Sequence, residues 1–452
     1  MSSHVNDMTV GRPATAILRF AVPLVLGYVL QQMYMVADAA IVGRFVGVEA
    51  LAAVGASSSI MFLVMGFCGG TTAGFAIPVA QAFGAKDQER MQRFVAGALR
   101  LTAVMAVALT VVTSLLVDPI LRLVSTPDAI MGDARTFLLM QFLAIPLTMA
   151  YNLLAAFIRA LGNSRQPFYF LIAASLLNIG LDLLFIPVLG MGVLGVGLAT
   201  MLAQAFSVLL CWQYIVRRLP ELGLLKRQPA ASGTLAVLMK CGLPMGLQFS
   251  ITAVGIIMLQ GANNALGTSY VAAFTTSMRV KYLFTCVFEN IGVAMATYCG
   301  QNIGAGKLNR VTAGLRAAVK IMLVYFLFTF AVIFPLADQM MMVFVDANQV
   351  FIVSEAARFM RICNWFYPVL GVLTILRYSI QGLGFAGLSM LSGVMEMVAR
   401  TAVSLWMVPA WGFTGVIMGD PVAWMAADLF LVPCMWMLYR HLKTNTEFNY
   451  GR

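Results

Sequence analysis

Three observations predict an all-α polytopic membrane protein with twelve spanning helices. Of 452 residues, 61% are hydrophobic and only 10% charged, where a soluble chain carries about a quarter charged residues. Apolar stretches of roughly 20 residues, the length a bilayer requires, recur from end to end. The second half also echoes the first at a shift of about 220 positions, the signature of an internal repeat.

The apolar runs and their punctuation place the first six helices at about 14–42, 50–75, 94–117, 134–158, 167–189 and 192–216. The second six fall at about 237–262, 270–298, 314–337, 352–377, 388–410 and 413–439. The longest polar stretch, Arg217–Gly233, separates the sets. This gives an N-terminal lobe over 1–216, a cytoplasmic linker over 217–236, and a C-terminal lobe over 237–452. The halves share punctuation. Phe20-Ala-Val-Pro23 answers Cys241-Gly-Leu-Pro244, Gly47 answers Gly267, and Gln81-x-x-Gly-Ala85 answers Gln301-x-x-Gly-Ala305. Arg90 then falls on Arg310, Ala160-Leu-Gly162 on Gly382-Leu-Gly384, and Gly192 and Gly195 on Gly412 and Gly415. Six helices per half give both repeats the same membrane orientation, related by a pseudo-two-fold axis along the membrane normal. Such repeats favour two bundles about a central cavity, although a channel can also be built this way.

The net charge of +11 does not form the basic stripe that nucleic acid requires. It is spread through short loops and sets orientation instead. With the N-terminus in the cytoplasm, seventeen Lys and Arg, among them Arg227, Lys307, Arg310, Arg377 and Arg452, lie on that side, against five on the other. An even number of spans returns the C-terminus to the cytoplasm. His4 and His441 sit near the chain ends, which removes histidine metal sites and histidine catalysis within the membrane. The seven cysteines show no CxxC spacing and read as apolar packing residues. Gly190-Met-Gly192-Val-Leu-Gly195 satisfies GxGxxG but follows an apolar helix, so it reads as a turn rather than a dinucleotide site. No nucleophile–base or metal constellation and no Walker sequence is present. An enzyme, a cofactor and direct ATP drive are therefore not expected.

Ionisable groups inside membrane helices are costly and mark function. Asp38 lies late in the first helix, as a proton or cation acceptor or as an interfacial carboxylate. On the fifth helix Asn178 and Asp182 are four residues apart and share a face. Together they offer hard oxygen ligands for Na⁺ or a carboxylate for H⁺, or else glue between helices. Thr200 and Asn152 add oxygens if their helices converge. In the second half Glu396 and Arg400, again four apart, read as a structural ion pair. Glu289 shares its helix with Arg279 and Lys281. Asp420 and Asp428 receive no role.

Asp38-Ala-Ala-Ile-Val-Gly-Arg-Phe-Val-Gly47 with Leu51-Ala-Ala-Val-Gly55, Pro167 through Leu177-Asn-Ile-Gly-Leu-Asp182 to Gly195, and Gln301-Asn-Ile-Gly-Ala305 resemble the multidrug and toxic compound extrusion (MATE) family. The likeness is greatest to its DinF/MepA-like bacterial branch. The resemblance implies two six-helix lobes opening alternately to either side. It also implies export of amphipathic, often cationic compounds against inward H⁺ or Na⁺. Asp38, Asn178, Asp182 and Thr200 match the family's N-lobe cation site, with Asn152 near it, and the first four are the ligands if the ion is Na⁺. Gln32, Tyr34, Glu289, Glu396 and Arg400 are read as candidate cavity or gating residues. The acids that NorM-like members carry on the seventh and tenth helices are absent from Leu247–Thr252 and Trp365–Leu370, so coupling is expected in the N-lobe. The expected setting is a bacterial cytoplasmic (inner) membrane, with a monomeric chain, a lipid bilayer and small-molecule substrates as partners, and no nucleic acid. A flippase for a lipid-linked precursor is the rival; it requires a basic portal, for which Arg279, Lys281 and Arg400 are the candidates. A passive channel predicts downhill flux only.

Overall fold

The computed structural model describes residues 6–123, 126–226 and 232–444. His4, Arg227 and Arg452 lie outside these. Every regular element among the described residues is helical. In the first half these are α1 (Pro13–Phe45), α2 (Val48–Gly84), α3 (Gln88–Leu115), α4 (Val117–Leu123), α5 (Met131–Leu143), α6 (Ile145–Ala160), α7 (Arg165–Phe185) and α8 (Gly192–Arg218), with short 3₁₀ turns before α5 and after α8. In the second half they are α9 (Ser232–Asn264), α10 (Thr268–Gly304), α11 (Leu308–Met342), α12 (Val350–Trp365), α13 (Tyr367–Gly382), α14 (Ala386–Ala402), a π-helical segment Val403–Met407, α15 (Val408–Trp411) and α16 (Phe413–Thr444).

Among the described residues ten helices are long and apolar enough to cross a membrane, and two bent pairs, α5–α6 and α12–α13, bring the candidate spans to twelve. The bends measure 44° and 55°. Each has a proline, Pro146 or Pro368, in the first turn of its second helix. Proline has no N–H to continue the ladder and its ring crowds the carbonyl four residues back, so the helix turns there. The bends therefore fall at matching places in the repeat. Several helices run past the apolar stretches that betray them: α2 reaches Gly84 and α10 reaches Gly304. Backbone hydrogen bonding continues into water, whereas hydropathy reports only the part in lipid. Large apolar side chains such as Leu115, Leu209, Leu327, Trp406 and Leu429 stand exposed, as lipid contact permits.

The helices form two compact units. Val22–Gly246, with Asn6 and Asp7, makes one; Met8–Ala21 and the residues from Leu247 onward make the other. The divisions fall inside α1 and α9, beside Pro23 and Pro244, and not within the linker. In the first unit Phe75, Phe94, Ala98, Phe157, Cys211 and Leu238 close one core joining α2, α3, α6, α8 and the start of α9. A Cβ on Gly74 would stand 2.6 Å from the Cα of Gly242, so α2 and α9 meet backbone to backbone. In the second unit Phe288, Tyr325 and Tyr367 form edge-to-face contacts at 5.2 and 5.4 Å. All seven cysteines are free and buried, as packing residues should be.

Backbone conformation follows the repeat closely. Gly47 and Gly267 precede α2 and α10 at φ 125° and 109°, a region closed to residues with a Cβ. Lys86 adopts φ 58° where its counterpart Gly306 has 68°. Gly382, at the end of α13, leaves no room at all: a Cβ there would meet the Ala296 carbonyl oxygen of α10 at 2.3 Å. Gly382→Ala should therefore cost about 1–3 kcal/mol through forced backbone displacement. A thermal unfolding midpoint in detergent equal to that of the unaltered protein would refute this.

The second unit also holds the N-terminal segment. The Met8 N–H donates to Gln301 Oε1 at 2.9 Å, and Asn302 Nδ2 donates to the Met8 carbonyl at 3.2 Å. Arg310 donates to the carbonyls of Met8, Val10 and Gly11, and Lys307 to that of Thr9. The Gln-x-x-Gly-Ala turn of the second half is thus a backbone-reading clamp.

Candidate ion-coupling site

Three helices of the first unit each present a polar stripe. Gln31, Tyr34 and Asp38 lie on α1, Ser175, Asn178 and Asp182 on α7, and Thr200, Gln204 and Ser207 on α8. Spacings of three and four residues bring each set to one face of its helix. These faces enclose a cavity of about 70 Å³, lined by all of these except the two carboxylates and completed by Tyr151 of α6. Tyr34 reaches Thr200 and lies within electrostatic range of both Asp38 and Asp182. The two carboxylates in turn adjoin each other.

Asp182 is 0% exposed and Asn178 2%, yet Asn178 has no hydrogen-bond partner among the described residues and Asp182 has none there but the Asp38 carboxyl. One oxygen of Asp38 is likewise buried and unpartnered. Thr200 donates its proton to the Val196 carbonyl at 3.0 Å, which turns the remaining hydroxyl lone pair outward. The Gln204 amide oxygen is buried without a donor. Two like charges 4 Å apart repel by about 4 kcal/mol even at an effective dielectric of 20. Withdrawal of each from water costs several kcal/mol more. With no ion pair to a base among the described residues, a proton or small cation is what relieves the pair. Carboxylate, amide, hydroxyl and phenol oxygens make a donor set suited to a hard cation.

Asp38, Asn178, Asp182, Thr200 and Tyr34 are thus brought together as their chemistry requires. Asn152 and Gln32 do not line the cavity; their neighbours Tyr151 and Gln31 do. Gln31, Ser175, Gln204 and Ser207 were missed in the sequence; the signal that could have found them is the helical spacing they share with the acids.

The second unit is built differently. Lys281 of α10 pairs with Asp420 of α16. Asp420 Oδ1 also accepts from Arg400 of α14 at 3.0 Å. Arg400 donates to Glu396 at 3.1 Å, and Glu396 accepts from Arg377 of α13, which also donates to Ser392 at 3.1 Å. All five charged groups are buried. The Glu396–Arg400 pair is present as expected, but it is one link in a longer chain. One expectation is corrected. Arg377 is not a loop cation that sets orientation; it is buried and paired with Glu396. Lys281, on the helix that carries Glu289, pairs with Asp420. Glu289 instead accepts a hydrogen bond from the Tyr378 hydroxyl at 3.0 Å. Asp420, given no role from sequence, joins two cations; its partners lie far along the chain and no local spacing announces them.

The MatE family model matches residues 23–184 and 242–406, one match in each half. The chain belongs to the MatE family. Among its relatives, the probable multidrug resistance protein YpnP of Bacillus subtilis is 26% identical over 402 residues, covering 89% of this chain and 88% of that one. The DNA damage-inducible protein F of Escherichia coli is 25% identical over 452 residues, covering 96% and 94%. A crystal structure of MATE in the bent conformation has a TM-score of 0.90 at 22% identity, over 99% of both chains. The twelve-span helical architecture is therefore that of MatE proteins, and the chain is a multi-pass membrane protein.

Proposed function

We propose that this MatE protein is a secondary antiporter that exports amphipathic, often cationic small molecules in exchange for H⁺ or Na⁺ bound in its first unit. The observation that carries this is the adjoining pair of Asp38, half-buried, and Asp182, fully buried, without a basic partner among the described residues and flanked by unpartnered amide oxygens. A relative named as a probable multidrug resistance protein supports the substrate class. Ion entry neutralises the pair, and the state that binds the ion better is populated at the expense of the other. Net transport requires that preference to differ between the two states, since equal affinity shifts nothing. The setting is a bacterial inner membrane with both termini in the cytoplasm.

The flippase reading loses ground because Lys281 and Arg400, two of its three portal candidates, are engaged by Asp420 and Glu396. Proteoliposomes loaded with a fluorescent lipophilic cation test the proposal under separately imposed H⁺ and Na⁺ gradients. Uphill cation movement driven by one gradient and silent under the other is the expected result. Flux that only ever runs downhill identifies a channel and overturns antiport.

A further inference from the structure

The last helix, α16, keeps two opposite faces through its second half. Ala427, Leu431, Cys434, Met435, Leu438 and Leu442 are buried. Leu429, Val432, Trp436, Arg440 and Lys443 are exposed. Counted from Leu429, the other four stand three, seven, eleven and fourteen residues on. At about 3.6 residues per turn, all five fall within about 60° of one line along the helix. Leu429 is nine residues from the buried Asp420, half-way round the axis, so this face points away from the ion-pair chain.

The face changes character along its length. Leu429 is 79% exposed and purely apolar, Trp436 presents an indole that is 55% exposed, and beyond it the line carries only cations. An indole, apolar in body and polar at its N–H, suits the level where hydrocarbon meets headgroups. At about 1.5 Å per residue, Arg440 stands about 6 Å past Trp436 and Lys443 about 10 Å, at the level of the headgroups and their outer edge. The guanidinium is already placed: Arg440 Cζ lies 3.6 Å from the centroid of the Trp436 ring, a cation–π contact. Stacked in this way, its N–H groups remain directed outward in the plane of the fork. Neither Arg440 nor Lys443 makes an ion pair among the described residues. The repeat does not demand this arrangement. At the shift of about 220 positions, α8 has Leu209 and Trp212 for Leu429 and Val432, but Val216 and Pro220 where α16 has Trp436 and Arg440.

We propose that Trp436, Arg440 and Lys443 bind the phosphate of an anionic phospholipid whose chains lie along Leu429 and Val432. The guanidinium edge takes two phosphate oxygens, and the ammonium adds a point charge beside it. The apolar run on the same face selects a lipid over a free phosphate ester. Net charge selects among lipids, because a zwitterionic headgroup brings its own cation. A cation at this level adds about 1 kcal/mol, or about fivefold, to the hold on an anionic headgroup, so two give about 25-fold. The site does not depend on the ion coupling proposed for the first unit.

The test uses the full chain in mixed micelles of detergent and phosphatidylglycerol with brominated chains, which quench an adjacent indole. Phosphatidylcholine with the same brominated chains is the reference. The quenching removed by Trp436→Phe is the part due to that residue, and each variant is measured with and without this replacement. Half-quenching of that part should need about 25-fold less phosphatidylglycerol than phosphatidylcholine. Arg440→Gln should lower the preference about fivefold, and Arg440→Gln/Lys443→Gln should bring the two lipids to parity. Raising salt to about 1 M should shrink the preference in the unaltered protein, since the Debye length falls to about 3 Å. All three side chains are exposed, and an unchanged thermal unfolding midpoint confirms that each variant keeps its fold. Equal quenching by the two lipids in the unaltered protein, or a preference that the double variant retains, overturns the proposal. Complete displacement of phosphatidylglycerol by millimolar glycerol phosphate assigns the site to a free phosphate ester and overturns it equally.

Discussion

Asp182→Asn should reduce gradient-driven export to the leak rate of empty liposomes, a fall of at least ~100-fold, while the protein folds and inserts normally. Swinging a two-state equilibrium from 1:99 to 99:1 requires about 10⁴-fold selectivity for one state. An amide in place of the carboxylate removes the charge whose neutralisation provides that selectivity. The fold should tolerate the change, because the Asp182 carboxyl is within hydrogen-bond reach of the Asp38 carboxyl, to which an amide can still donate, and Asn is nearly isosteric. Asp38→Asn should have the same effect. Thr200→Val should be milder, since its hydroxyl is one oxygen among several and donates to Val196 in its own helix. Export driven uphill at an undiminished rate by Asp182→Asn would remove the carboxylate pair from the mechanism.

The second large effect concerns stability rather than transport. Arg400 is the centre of the ion-pair chain, bound to Glu396 at 3.1 Å and Asp420 at 3.0 Å. Arg400→Met leaves each acid with one cation where it had two, and should destabilise the second unit by about 3–5 kcal/mol, because Glu396 and Asp420 each lose a buried charge-assisted hydrogen bond. Arg400→Lys should recover part of the loss, because an ammonium lacks the fork that reaches two carboxylates. The exposed pair Arg135–Asp118, at 2.8 Å, is the control: Arg135→Met should cost less than about 1 kcal/mol. Fluorescence-monitored unfolding in one detergent distinguishes these outcomes, and equal midpoints for Arg400→Met and Arg135→Met would contradict the argument.

The spans, their number and the repeat were legible because lipid imposes a length and an apolar composition on every crossing segment. Gly47 and Gly267 were visible as paired punctuation, and the structure supplies the reason in their shared positive φ. Asp38, Asn178 and Asp182 were legible through scarcity: an acid in an apolar helix has few explanations. Gln204 was not, since a glutamine in a membrane helix is unremarkable until the acids across the cavity are placed. Asp420 and Arg377 were hidden for a different reason. Their pairings span 139 positions to Lys281 and 19 to Glu396, and no helical periodicity links residues on separate helices. The bends at Pro146 and Pro368 were legible as prolines but not as angles, which depend on what each helix packs against.

The allotment of α1 and α9 also has a consequence for biosynthesis. The first unit needs the opening segment of α9, up to Gly246, and the second needs Met8–Ala21, which the ribosome makes well before Leu247 and the residues that follow. At roughly 5–20 residues per second, that early segment waits on the order of tens of seconds for the helices it joins. During that time neither half has all its parts. A chain severed between α8 and α9 should therefore yield fragments that are each incomplete, recovering activity only when made together. The halves repeat one another in sequence, but the exchange of segments leaves neither complete without the other.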